Sequence, residues 1–252
     1  MIDKDIIMRA DDFIPGTDFP IEQRGCVLVL PGRGVSGNLM ERFMLHVGLW
    51  RSFKFILEPR NLEWYPAPNG PEDQVAAANG LEKARGVLEN EIKRIERAFG
   101  FKKKEMVIVG FSAGSVMAIQ MLAHSDEPYA GVLSLAGAIL EPEKLPKSKH
   151  NTPLCVQHNM DDDCFKWDER YLPMKKVLTE NGYNAKFIES DEGGHNLTGE
   201  ECDLTRAFIS GIFDYKSDYD IFDKMMTERR KEEAEKEEEC EEGCGCHHEE
   251  EE

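Results

Sequence analysis

The chain has 252 residues, 40% of them hydrophobic, and a formal net charge of -18, so it can bury a sizeable core and is not a disordered polymer. The charge is uneven: residues 228–252 hold 13 Glu against 4 Lys or Arg, which gives -9, and the other -9 is spread over the first 227 residues. A moderately acidic body argues against nucleic acid or an anionic membrane surface as its partner, because both are polyanions.

The opening MIDKDIIMRADDF has acids where a secretory leader wants Lys or Arg, and no apolar stretch follows it, so no signal peptide is expected. No run approaches the roughly 18 apolar residues of a membrane span. A cytoplasmic protein is expected. Cys26, Cys155, Cys164 and Cys202 fit that compartment, being scattered without the spacing of a disulfide framework. Short apolar runs then alternate with amphipathic stretches, the pattern of a mostly parallel sheet with helices on both faces. The expected strands are Cys26 to Leu30, Phe53 to Leu57, Met106 to Val109, Gly131 to Leu135, Leu154 to His158 and Ala185 to Glu189, each read as buried on both faces. The expected helices are 38–48, 71–99, 113–124, 168–181 and 199–215. The longest opens on Pro71-Glu72-Asp73, with Pro at the first helical position and acids in the first turn.

No repeat and no Gly/Ser or Pro-rich linker divides the body, so a single domain over 1–219 is expected, followed by a charged helix at 220–238. The last stretch, 239–252, reads CEEGCGCHHEEEE after its first Glu and cannot bury a core, so it is expected to be a disordered acidic tail. Cys240, Cys244, Cys246, His247 and His248 make it a set of soft and borderline ligands suited to Zn(II), Ni(II) or Cu(I). The spacing matches no structural zinc framework, and a plain solvated tail is the alternative.

Gly110-Phe111-Ser112-Ala113-Gly114 fits G-x-S-x-G, a pattern that gains meaning only between a strand and a helix. Here the run Met106 to Val109 ends on Gly110, and Ala113 to Leu122 opens a helix at once. Such a turn exposes a serine nucleophile and brings it to a helix N-terminus, where backbone N–H groups can hold a developing oxyanion. This points to the α/β-hydrolase fold. A serine also needs a histidine base and an acid, in the order Ser, Asp, His for this fold. Asp161, Asp162 and Asp163 follow one strand, and Gly193-Gly194-His195 follows the next. His46 and His124 fall in expected helices, His150 in a polar loop, and His247 and His248 in the tail. His195 is therefore the expected base, while the residues alone leave the choice among the three aspartates open.

The landmarks Leu30-Pro31-Gly32-Arg33-Gly34, the elbow at Ser112, His158-Asn159-Met160-Asp161-Asp162 and Gly194-His195 resemble the phospholipase/carboxylesterase family of α/β-hydrolases, over roughly 25–212. That family includes acyl-protein thioesterases and small bacterial carboxylesterases. The resemblance implies Asp162 as the acid, with Asp161 as the alternative, and backbone N–H donors from Arg33 and Ala113. It also implies that Trp64-Tyr65 either shapes the substrate pocket or packs on the core. Two positions depart from the family: Pro31 stands where His is usual, and Asn159 where Gly is usual, which would demand a left-handed backbone of Asn159.

The expected reaction is hydrolysis of carboxylic esters or thioesters of small or acyl substrates through an acyl-enzyme on Ser112, with no cofactor. Peptidase or dienelactone hydrolase chemistry on the same fold is one alternative, although the latter group usually has Cys as nucleophile. A non-catalytic protein whose tail binds metal is another.

Overall fold

The structure is a computed structural model that describes residues 6–11, 25–49, 52–68 and 73–214. The expected helix at 220–238 and the Cys/His/Glu tail at 239–252 lie outside the described residues. The chain divides into two units, Met1–Phe213 and Asp214–Glu252, and every described helix and strand belongs to the first.

The elements in chain order are β1 (Ile6–Asp11), β2 (Cys26–Leu30), α1 (Gly37–Val47), β3 (Phe53–Pro59), α2 (Gln74–Phe99), β4 (Met106–Phe111), α3 (Ala113–His124), β5 (Gly131–Leu135), β6 (Leu154–Asn159), α4 (Leu172–Glu180), β7 (Ala185–Ser190) and α5 (Gly199–Phe213). They build one seven-stranded sheet in the order β1-β3-β2-β4-β5-β6-β7. Only β1 is antiparallel to its neighbour, pairing Ile6 with Pro59 through Asp11 with Lys54; the other pairings are parallel.

The strands sort their residues by parity, as a two-residue period requires. Cys26, Leu28, Leu30, Phe55, Leu57, Met106, Ile108, Leu154 and Val156 join one core with residues of α2, α3 and α4. The intervening Val27, Val29, Ile56, Val107, Val109 and Leu133 are equally buried, on the face where α1 and α5 pack together. Both faces are thus covered, which is why β2 and β4 read as unbroken apolar runs and why β5 and β6 open on apolar ones.

Three expectations change. β1 was not foreseen; it forms one edge of the sheet. β7 forms the other edge and is only partly buried, with Lys186 and Glu189 exposed and the rest half-buried, because no strand among the described residues lies beyond it. α2 begins at Gln74 with Asp73 at its N-cap and no acid in the first turn, while residues 69–72, Pro71 included, lie outside the described residues. Among the described residues no helix is long and apolar enough to cross a membrane.

Candidate active site

β2, β4, β6 and β7 run parallel, so the loops that follow them emerge at one carboxyl edge of the sheet, the edge where open α/β sheets hold their ligands. Ser112 follows β4 directly with φ 55° and ψ -119°, a left-handed backbone that a residue with a side chain adopts at a cost of about 1–3 kcal/mol. The fold enforces it. Ser112 N–H donates to Leu135 O at 2.9 Å, and the N–H groups of Ser115 and Val116 donate back to Ser112 O. The flanking glycines have no room for anything larger: a β-carbon on Gly110 would lie 2.4 Å from Gly114 O, and one on Gly114 would lie 2.0 Å from Leu30 O. Helix α3 can therefore start hard against β2, with Ser112 at the tip.

His195 arrives from the loop after β7. Its Nε2 lies 2.7 Å from Ser112 Oγ, and its Nδ1 lies 2.8 Å from Asp162 Oδ2. An ionised carboxylate only accepts, so Nδ1 carries the proton and Nε2 is left to accept from the serine hydroxyl. The ring is held between Phe111, at 5.3 Å between centroids, and the edge of Phe165, at 5.7 Å.

The adjacent aspartates divide the work. Asp162 is buried, and its second oxygen accepts the N–H groups of Cys164 and Phe165, both at 2.8 Å. Burial alone would raise its pKa. The hydrogen bonds from His195 and Phe165, with the electrostatic pull of the two imidazoles of His195 and His158, outweigh burial and hold it below its ordinary value. Asp161 is exposed and turns the other way, accepting Gly194 N–H at 2.7 Å and Gly193 N–H at 3.3 Å. It fixes the glycine pair that carries His195, whose φ values of 139° and 60° are open to glycine far more than to other residues. Asp163 takes no part in these contacts.

A second tether ties the same loop to the sheet. Asn159 Nδ2 donates to Gly194 O at 2.9 Å, Gln157 Nε2 donates to Asn159 Oδ1 at 2.7 Å, and Gln157 also reaches Glu201 Oε1 at 2.9 Å. Glu201 is buried in α5 and accepts Thr198 N–H at 2.7 Å with its other oxygen. Asn159 continues β6 and is not among the residues of positive φ, so the left-handed backbone expected of it is not needed; its side chain is used instead. This network was not read from the sequence. The one available signal was Asn at a position where the resemblance leads one to expect Gly.

His158, the neighbour of that Asn, is buried and stacked on Tyr171 at 4.7 Å. Its Nε2–H donates to Phe165 O at 2.8 Å, closing the 158–165 turn beneath Asp162. Burial lowers its pKa against the opposing pull of Asp162 and of the Phe165 carbonyl, which favours the neutral ring.

The loop after β2 lies over the serine: a β-carbon on Gly32 would stand 3.0 Å from that of Ser112. Outside the helix and strand ladders, no backbone hydrogen bond among the described residues takes the N–H of Arg33 or of Ala113. The Arg33 guanidinium is engaged, with Nη2 donating to Tyr65 O at 2.7 Å, its carbon 5.4 Å from the Tyr65 ring and Nε 3.9 Å from Glu63. Trp64 and Tyr65 are both buried in the core, and Trp64 Nε1–H donates to Pro31 O at 2.7 Å. The aromatic pair thus braces the Pro31–Arg33 turn from below. Among the described residues one group of side chains is close enough to share a metal ion: Asp162, Cys164 and His195, whose ligand atoms all lie within 4.8 Å of one another.

A mostly parallel sheet with a strained serine between strand and helix, and with Asp and His on later strand ends, defines an α/β-hydrolase. The phospholipase/carboxylesterase profile matches residues 53–212. The chain belongs to that family and is a hydrolase of the carboxylesterase type. Its fold is similar to that of the esterase PE8, at 23% identity and a TM-score of 0.64, covering 75% of this chain and 92% of that one. It is also similar to a phospholipase/carboxylesterase from Dyadobacter fermentans, at 17% identity and a TM-score of 0.65, covering 81% and 95%. A carboxylesterase of Bacillus cereus matches at 14% identity and a TM-score of 0.64, covering 82% and 93%.

Proposed function

We propose that this protein hydrolyses carboxylic esters or thioesters of small or acyl substrates by way of an acyl-enzyme on Ser112. The observation that carries the reading is the hydrogen-bonded relay from Ser112 Oγ to His195 Nε2 at 2.7 Å and from His195 Nδ1 to Asp162 Oδ2 at 2.8 Å. In the first half, His195 takes the hydroxyl proton as Ser112 attacks the carbonyl carbon, and Asp162 stabilises the imidazolium that forms. The backbone N–H groups of Arg33 and Ala113 receive the oxyanion, and His195 then hands its proton to the leaving alcohol or thiol. In the second half, water repeats the cycle on the acyl-enzyme with His195 as base. Water is the only co-reactant, so the reaction as written needs no cofactor. Trp64 and Tyr65 act on the pocket through the turn they support.

The role of Asp162, rather than Asp161, is supported by its direction: its carboxylate meets the imidazole, whereas Asp161 meets the glycine amides. Steady-state hydrolysis of p-nitrophenyl acetate and butyrate by Ser112→Ala tests the reading. The variant is expected to lose at least about four orders of magnitude in kcat, and a rate near that of the wild type would overturn it.

A further inference from the structure

We propose that Asp162, Cys164 and His195 form a binding site for a divalent transition-metal ion of the Zn2+ type, and that an ion bound there switches hydrolysis off. The second half rests on the reading of Ser112, His195 and Asp162 given above; the first half does not.

The ligand set is the first argument. A carboxylate oxygen, a cysteine sulfur and an imidazole nitrogen are the three donor types that zinc takes from proteins, and the mixture suits Zn2+ better than Mg2+ or Ca2+, which want oxygen alone. The spacing is the second. Donors at 2.0 to 2.3 Å from one tetrahedral ion stand roughly 3.3 to 3.8 Å apart, and these three already lie within 4.8 Å of one another. Closing the difference takes a movement of about 1 Å, and the group best able to make it is Cys164, which is exposed. The third argument is support from outside the ligand set: the Cys164 and Phe165 amides, each 2.8 Å from Asp162 Oδ1, hold the carboxylate in place whatever its other oxygen contacts.

Three protein ligands leave a fourth position for water, so the site is open and reversible rather than a closed structural one. As the Zn–S and Zn–N bonds form, the thiol proton of Cys164 leaves to solvent and the ring proton of His195 passes from Nδ1 to Nε2, so His195 stays a neutral ligand and no electron changes hands. The ion must replace the 2.8 Å contact between Asp162 and His195, which limits its affinity. That same replacement removes the acid from the base, so an occupied site cannot deprotonate Ser112. Cys164 reaches Asp162 through its backbone amide, so its sulfur can be deleted without removing that contact.

The test uses the full-length chain carrying Cys240→Ala, Cys244→Ala and Cys246→Ala, so that thiols of the tail do not report, with and without Cys164→Ala. Zn2+ is titrated against p-nitrophenyl butyrate hydrolysis, and Co2+ is titrated while following its thiolate charge-transfer absorption. Zinc inhibition is read as a fraction of each protein's own metal-free rate. The proposal expects the zinc concentration for half-inhibition to rise at least about tenfold in Cys164→Ala and the cobalt–thiolate band to vanish. Equal zinc sensitivity in both proteins, or a cobalt band that is absent before the substitution or survives it, overturns the proposal. If neither protein turns over the ester, the hydrolase reading fails by itself and the cobalt titration still decides the metal site.

Discussion

Replacing Asp162 by Asn changes a single atom type yet should nearly silence the enzyme, and the geometry says why. Asp162 Oδ1 accepts two amides at 2.8 Å, from Cys164 and Phe165, while Oδ2 accepts His195 Nδ1–H at 2.8 Å. Asn has one acceptor and one donor end, and two amides hold the acceptor more firmly than one imidazole does. The new NH2 therefore faces His195. The ring must then accept at Nδ1 and carry its proton on Nε2, which points at Ser112 Oγ 2.7 Å away, so the base is lost without any movement of the backbone. A triad locked in the wrong tautomer loses about 10^4-fold in kcat, or about 5 kcal/mol of transition-state stabilisation, with KM little changed. Asp161→Asn is the matched control. It keeps an acceptor for Gly194 N–H, the shorter of the two contacts, and should cost no more than about tenfold. Steady-state kinetics with p-nitrophenyl butyrate, alongside thermal melts to confirm folding, separates the two. Wild-type-like turnover by Asp162→Asn with a large loss in Asp161→Asn would refute the reasoning.

The remaining predictions concern the frame around that relay. Gly114→Ala drives a β-carbon to 2.0 Å from Leu30 O and should cost more than about 3 kcal/mol or abolish soluble expression; Gly199→Ala, with nothing within 4 Å, should melt within a few degrees of wild type. Asn159→Gly removes the link between Gln157 and Gly194 O, and should lower kcat about tenfold through a looser His195 while KM holds; unchanged kcat in a stable variant would dismiss the tether. Stability should fall on acidification. His158 has a depressed folded pKa, so below its ordinary value of 6.5 the unfolded chain binds a proton that the folded one does not, and stability present above that pH is lost as pH falls. Asp162, also depressed, adds a further loss as pH drops below 3.8 and through its folded value. Urea midpoints at about pH 7.5 and about pH 5.5 measure the first effect; an equal or higher midpoint at the lower pH contradicts it.

Strands β2 and β4 were legible because both of their faces are buried, which leaves an apolar run with no polar alternation to confuse the pattern, and β5 and β6 because Gly131 to Leu133 and Leu154 to Val156 open them on apolar runs. β1, six residues with Arg9 and Asp11 among them, has no such run and shows itself only through its antiparallel pairing with β3. Ser112 and His195 were legible because glycines punctuate them: Gly110 and Gly114 by close approach, Gly193 and Gly194 by backbone angle. The aspartates were harder. Three neighbours of identical chemistry differ only in the direction the turn gives them, and that direction depends on the His158 to Phe165 hydrogen bond and on the Cys164 and Phe165 amides. The Glu201, Gln157 and Asn159 network joins residues 44 positions apart, a separation at which no local pattern leaves a trace. The proximity of Cys164 to His195 is hidden for the same reason.

The central claim is that Ser112 is the nucleophile, and trapping it is the most direct test. Full-length protein is treated with a fluorophosphonate, and the modified peptide is located by mass spectrometry in the wild type, Ser112→Ala and Asp162→Asn. The account predicts a single adduct on the peptide containing Ser112, none in Ser112→Ala, and labelling slowed by orders of magnitude in Asp162→Asn. An adduct on another serine, or ester hydrolysis by a protein that does not label at Ser112, would contradict it.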